Sequence, residues 1–226
     1  MIFAEEYIPK QVKDCSISGS REKFKNKKNK NIRFLLEKRF FWMKSFIKNK
    51  KNIIELGSGN GASKEILQNK KIILTDIQKY PWINKKVDMT KLDLGKKNEG
   101  KVDVFIINHS LHHCSNPSKL LKKMAIYLKK DIFKSNNPWS ANNAVANLLF
   151  KNEKKFNFHF SEYKIIKNDL SEFLVFINSG GVVNNTFHIP VNKLVFDFLG
   201  LIDRWLIKIF PKIFALNRSV VLKKIN

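Results

Sequence analysis

Between Ile53 and Gly61 the chain reads Ile-Ile-Glu-Leu-Gly-Ser-Gly-Asn-Gly, a short apolar run that meets three glycines at alternate positions. An apolar run of this length ending in a turn signal predicts a buried strand. Glycine at 57, 59 and 61 removes the Cβ atoms that would hold a ligand off the backbone, and it admits φ > 0 without steric cost. Ala62 to Asn69 then predicts a helix, whose free N–H groups and positive dipole end face whatever the loop holds. Strand, glycine turn, helix and ligand are thus expected in one short stretch.

Two ligand classes use this arrangement. Gly57-Ser-Gly-Asn-Gly-Ala62 satisfies the dinucleotide fingerprint G-x-G-x-x-[G/A]. Glu55, two residues before the first glycine, is poorly placed beside a pyrophosphate and well placed to receive an ammonium group. Glu55-Leu-Gly57-Ser58-Gly59-Asn-Gly61 resembles the [E/D]-x-G-x-G-x-G motif of class I S-adenosylmethionine-dependent methyltransferases. The resemblance covers about residues 50–130. It implies S-adenosylmethionine as cofactor and a Rossmann-like α/β fold, with a mostly parallel seven-stranded sheet between helices. The plain alternative is a glycine turn with no ligand.

Downstream spacing agrees. Lys71 to Asp76 predicts a second strand, and an acid at its carboxyl end, followed by Ile77, can accept hydrogen bonds from both hydroxyls of a ribose on the loop. Val87-Asp88-Met89 resembles the family's next element, in which an acid takes the adenine amino group and the next backbone N–H meets a ring nitrogen. Asp93 is a neighbouring candidate for the same task. Lys101 to Asn108 is a near-continuous β-branched and aromatic run, suited to a strand covered on both faces. His109-Ser-Leu-His112-His113-Cys-Ser-Asn-Pro117 follows it and looks like the Leu-His-His and Asn/Asp-Pro segment of the family's small-molecule enzymes. Asn108 and His109 would border the methyl-transfer point. His112 and His113 are the catalytic candidates, as pocket floor or general base. A metal site is not expected, because His109, His159 and His188 form no ligand spacing with them.

The formal charge of +24 comes from 43 Lys and Arg against 19 Asp and Glu. It suits an anionic membrane or RNA. The excess is mostly lysine, accompanied by Asn, Ile and Phe, so compositional drift accounts for it equally, and nucleic acid is not the expected partner. Cys15 and Cys114 imply no disulfide framework. Met1 to Pro9 lacks a secretory pattern, and no stretch reaches the length of a spanning helix. A cytoplasmic location with peripheral membrane contact is expected.

Residues 1–30 read as a basic, flexible arm and 31–226 as one domain, with an apolar helical decoration over about 140–212. Ile32 to Ile47 is an aromatic-rich helix that packs on the sheet, covers the pocket or lies on a membrane. After the helix opened by Asn116 and Pro117, the expected long fifth strand is short or missing: Asp131 to Ser135 offers only Ile132 and Phe133 as adjacent apolar residues. Asn136 to Ser140 reads as a turn, Ala141 to Phe150 as a short helix and Lys151 to Phe160 as a loop. Asp169 reads as the cap of a helix to Asn178. Val191 to Phe210 is a helix apolar over more than half its circumference, which calls for a homodimer mate, an interface or a greasy substrate. Phe214 to Lys223 closes the sheet.

The chain after strand four carries neither Asn/Asp-Pro-Pro-Tyr nor Pro-Cys, which disfavours the family's amino-methylating and cysteine-nucleophile enzymes. The expected activity is methyl transfer from S-adenosylmethionine to a small-molecule acceptor, lipid-linked or related to a surface polysaccharide. The alternatives are an RNA methyltransferase and a degenerate cofactor-binding protein.

Overall fold

The computed structural model describes residues 16–26, 30–129, 137–142, 149–182 and 186–225. Its centre is a parallel sheet of β1 (Ile53–Leu56), β2 (Ile72–Asp76), β3 (Lys85–Lys86) and β4 (Val104–Ile106) in the order β3-β2-β1-β4. All four residues of β1 are buried, as an interior parallel strand requires. Alternation along the strands divides the core. Ile53, Ile72, Leu74, Val104 and Ile106 face α2 (Lys30–Phe41), α3 (Lys44–Ile47) and α4 (Ala62–Ile66). Ile54, Leu56, Phe105 and Ile107 face α5 (Pro117–Tyr127) and the C-terminal strands.

A second, antiparallel sheet contains β5 (Asn137–Asn142), β6 (Tyr163–Ser171) and β7 (Asn217–Lys224), in the order β5-β7-β6. β5 lies beside β4 without sharing its ladder. The two sheets nevertheless share one core, since Tyr163, Val220 and Leu222 pack with Phe105 and Leu121. Lys224 ties β7 to the end of α5, its Nζ donating to the carbonyls of Ala125 (2.6 Å) and Leu128 (3.0 Å). A cation there also complements the helix dipole.

Among the described residues seven strands are present in the expected mostly parallel α/β fold, but they are split four and three rather than joined in one ladder. The expected fifth strand at 131–135 lies outside the described residues. The strand that fills its place is 137–142, where the sequence suggested a turn and the start of a helix. Three further expectations change. Arg21 to Lys25, read as part of a basic arm, belongs to α1 (Ile17–Lys25), capped by Ser16 and buried at Ser20 and Phe24. Lys151 to Phe160 contains α6 (Glu153–His159), capped by Asn152. Of the helix expected from Asp169 to Asn178, only α7 (Leu174–Ile177) is helical, and Asp169 to Ser171 form the end of β6. The long C-terminal helix is present as α8 (Lys193–Ile209), then α9 (Pro211–Phe214) leads into β7. The aromatic-rich helix is interrupted at Trp42 and Met43.

Candidate active site

A cavity of about 660 Å³ opens at the carboxyl ends of β1, β2 and β4, where open α/β sheets hold their ligands. The volume falls in the range of small-molecule sites, about 300 to 1,000 Å³. Glu55, Gly57, Ser58, Gly59, Asp76, Ile77, Asp88, Met89, Asn108, His109 and His113 all line it. Gly61 sits one turn behind, at the start of α4. Of the predicted site residues, the structure leaves Gly61 and His112 off the cavity wall.

The glycine loop is fastened from both sides. The Ser58 N–H donates to the Thr75 carbonyl (2.9 Å), and the Thr75 N–H donates to Ser58 Oγ (3.0 Å), stitching the loop to β2. The Gly59 N–H donates to Asp76 Oδ2 (2.9 Å), and Trp82 Nε1 donates to the Gly59 carbonyl (2.8 Å). Gly57 has φ +66°, and a Cβ there would lie 2.5 Å from Ser110 Cβ and 2.7 Å from Met89 Cε. Only glycine fits that bend. Gly59 differs: a Cβ there would meet only Ile17, at 3.9 Å, so its cavity side is open for a ligand.

The acids differ in setting. Glu55 is buried, accepts from the Ser63 hydroxyl, and has its pKa pushed up to about 8, first by burial. The neighbouring Asp76 charge adds to that rise. A carboxylate in that position gains from a cationic partner. Asp76 caps its own turn through the Gln78 N–H (3.2 Å) while holding Gly59. Asp88 accepts from the Thr90 N–H (2.8 Å) and hydroxyl (2.6 Å) through one oxygen. Asp93, its rival in the sequence, is engaged by the Gly95 N–H and the Tyr127 hydroxyl and does not line the cavity.

At the other end, Asn108 Oδ1 and His109 Nε2 are buried without a hydrogen-bond partner. Buried polar atoms are rarely left so, and two side by side in a cavity wall fit a bound ligand. His109 has φ +52°, and burial, the Arg39 charge and His112 hold its imidazole well below the usual pKa, so it stays neutral. His112 is pushed down to about 4, first by burial and then by His113, whose ring centroid is 3.9 Å away. Among the described residues no group of three His, Cys, Asp or Glu could hold a metal ion.

Several wall residues were not foreseen. Arg39, Leu36 and Phe40 come from α2, and Ser16, Ile17 and Ser20 from the α1 segment. Arg39 forms a two-pronged ion pair with Glu172 (Nε to Oε1 2.9 Å, Nη2 to Oε2 2.7 Å), both side chains being buried. Arg21 of α1 grips the Asn60 carbonyl (2.7 Å) and Glu65. The sequence carried one signal for α1, a Ser16 cap with Ser20 and Phe24 one turn apart, obscured by the surrounding lysines. The Arg39 and Glu172 pairing left no local signal.

No protein-family model matches this sequence, and no curated protein matches it. Solved structures do. An S-adenosylmethionine-dependent methyltransferase from Archaeoglobus fulgidus is 16% identical, with 90% of this chain and 97% of that chain covered at a TM-score of 0.52. The plantazolicin methyltransferase BpumL, solved with a triazolic desmethylPZN analogue and S-adenosylhomocysteine, is 15% identical over 93% of this chain and 90% of its own, at 0.49. The YcgJ protein of Bacillus subtilis is 12% identical over 80% and 95%, at 0.47. The first of these likenesses establishes the fold: the chain has the Rossmann-like architecture of the class I methyltransferases.

Proposed function

We propose that the protein is an enzyme that transfers a methyl group from S-adenosylmethionine to a small-molecule acceptor. The observation that carries this reading is the pairing, within one cavity, of a glycine bend beside buried Glu55 with two unpartnered polar atoms at Asn108 and His109. Glu55 receives the methionine ammonium group, and Gly57, Ser58 and Gly59 let the methionine and ribose approach the backbone. Asp76 takes the ribose hydroxyls, Ile77 and Met89 flank the adenine, and the free oxygen of Asp88 accepts from its amino group.

The cofactor supplies the electrophilic methyl carbon. Bound there, it would give up that carbon to the acceptor's lone pair, the carbon–sulfur electron pair remaining on sulfur as a neutral thioether. Asn108 and the neutral His109 hold the acceptor's polar group in line. His113, on the cavity wall, takes the acceptor's proton or passes it to water, and His112 backs its ring. Alignment of this kind supplies roughly 7 to 11 kcal/mol. Leu36 and Phe40 add apolar wall to the cavity, which favours a small or lipid-linked acceptor over a polymer.

A second reading is cofactor binding without transfer, favoured by the interrupted ladder between β4 and β5. The test uses methyl-labelled S-adenosylmethionine with separate small-molecule, lipid and RNA fractions. Label is expected in the small-molecule or lipid fraction, with an equal yield of S-adenosylhomocysteine. Label confined to RNA would overturn the acceptor class, and cofactor binding with no label in any fraction would favour the second reading.

A further inference from the structure

We propose that the outer face of α8 docks on an anionic lipid surface. Phe196, Asp203 and Ile207 form the buried side of this helix. Asp203 fixes it in place by accepting from the backbone N–H groups of Phe173 (3.0 Å), Leu174 (2.7 Å) and Val175 (3.2 Å) at the start of α7. The opposite side is therefore held outward. It presents Leu194, Phe198, Leu201, Trp205 and Ile209 at helical spacing, with Phe198 59% and Trp205 63% exposed, and Ile213 of the following α9 is exposed as well. Contiguous exposed apolar residues of this extent mark an interaction surface.

Charge decides what covers it. Lys193, Asp197, Arg204 and Lys208 follow one another along a single edge of the apolar stripe, as 3.6-residue periodicity requires. Asp197, the only acid among them, is already paired with Lys38 (2.8 Å) and Lys193 (2.7 Å). Arg204 and Lys208 have no acidic partner among the described residues, and the chain carries +24. Two copies meeting through this face would bring like charges together. An RNA would satisfy the cations and leave Phe198, Leu201 and Trp205 against water. A bilayer surface with anionic headgroups satisfies both, with the stripe in the acyl boundary and the basic edge at headgroup level. No described helix is long and apolar enough to cross a membrane, so the contact is peripheral. α2 separates this helix from the cavity: Leu35 packs against Phe196, while Leu36, Arg39 and Phe40 line the site.

The proposal stands independently of methyl transfer and is tested without it. The purified full chain is sedimented with vesicles of phosphatidylcholine alone or mixed with phosphatidylglycerol, at low salt. Binding is expected only to the anionic vesicles. The double change Phe198→Ser and Trp205→Ser should weaken it at least about tenfold, with an unaltered melting temperature because both positions are exposed. Arg204→Gln and Lys208→Gln should each cost about fivefold. Absence of sedimentation, or sedimentation indifferent to the double change, would overturn the proposal. So would a dimer in analytical ultracentrifugation, or RNA binding in place of vesicle binding, that the same double change abolishes.

Discussion

The two ends of the cavity are built differently. Around the glycine bend nearly every polar group is already engaged: Asp76 holds Gly59, Asp88 holds Thr90, Glu55 accepts from Ser63, and Ser58 is laced to Thr75. Around the end of β4 the polar groups are idle, with Asn108 Oδ1 and His109 Nε2 buried and unpaired. The first end is preorganised, so a ligand meets a rigid cradle and loses little ordering entropy in binding. The second end holds its hydrogen-bonding capacity in reserve, which suits the place where a reacting group must be received and released. Arg39 lines the same cavity from α2. Its buried pair with Glu172 joins α2 to the β6–α7 junction, and its charge adds to the burial that keeps His109 neutral.

The largest expected effect comes from filling the rigid end. Gly57→Ala places a methyl group 2.5 Å from Ser110 Cβ at a φ of +66°. It should reduce S-adenosylmethionine affinity by more than about 100-fold and cost about 1 to 3 kcal/mol of stability, read by calorimetric titration and thermal melting. Asp76→Ala loosens the same end less. Hydrogen bonds to a charged group are worth about 1.5 to 3 kcal/mol, so affinity should fall about tenfold to a hundredfold. A fall below threefold would break the contrast between a preorganised and an idle end.

A pH series sharpens it further. Glu55 has its pKa raised from 4.5 to about 8, so it holds a proton in the folded state that it has lost in the unfolded one. Its contribution to stability is full below about pH 4.5 and is lost as pH rises through about 8. An ammonium ligand requires the ionised form. Affinity should therefore fall as pH drops from 8 to 6, by up to about tenfold per unit, with proton release visible as a dependence of binding heat on the buffer. Glu55→Gln should bind weakly with no such release. The smallest effect is expected at His112, which lies off the cavity wall with its pKa near 4. His112→Ala should change kcat about twofold, whereas His113→Ala should lower kcat by about a hundredfold or more.

The glycine-bend end of the cavity was legible in the sequence because its determinants are local. An apolar run, alternate glycines and an acid at the next strand end need no distant partner to be recognised, and the structure brings Glu55, Gly57, Asp76, Asp88 and Asn108 to one cavity. The C-terminal half was poorly legible because its structure is imposed from afar. Tyr163 to Ser171 is a polar edge strand whose state is set by pairing with β7, fifty residues or so away in sequence. Asp169, read as a helix cap, instead sits in that ladder opposite Ser219. Glu153–His159 did carry a cap at Asn152 and an apolar pair at Phe156 and Phe160, but the lysines between them hid the helical period. Arg39 reached the site by a tertiary ion pair that no spacing could forecast.

The claim that this cavity is shaped for a sulfonium nucleoside is tested most directly by calorimetric titration of S-adenosylmethionine and of NAD into the same preparation of the wild-type chain. One-to-one binding of S-adenosylmethionine is expected, at least about tenfold tighter than NAD. Tighter binding of NAD, or no binding of S-adenosylmethionine by a chain shown to be folded by its melting transition, would contradict it.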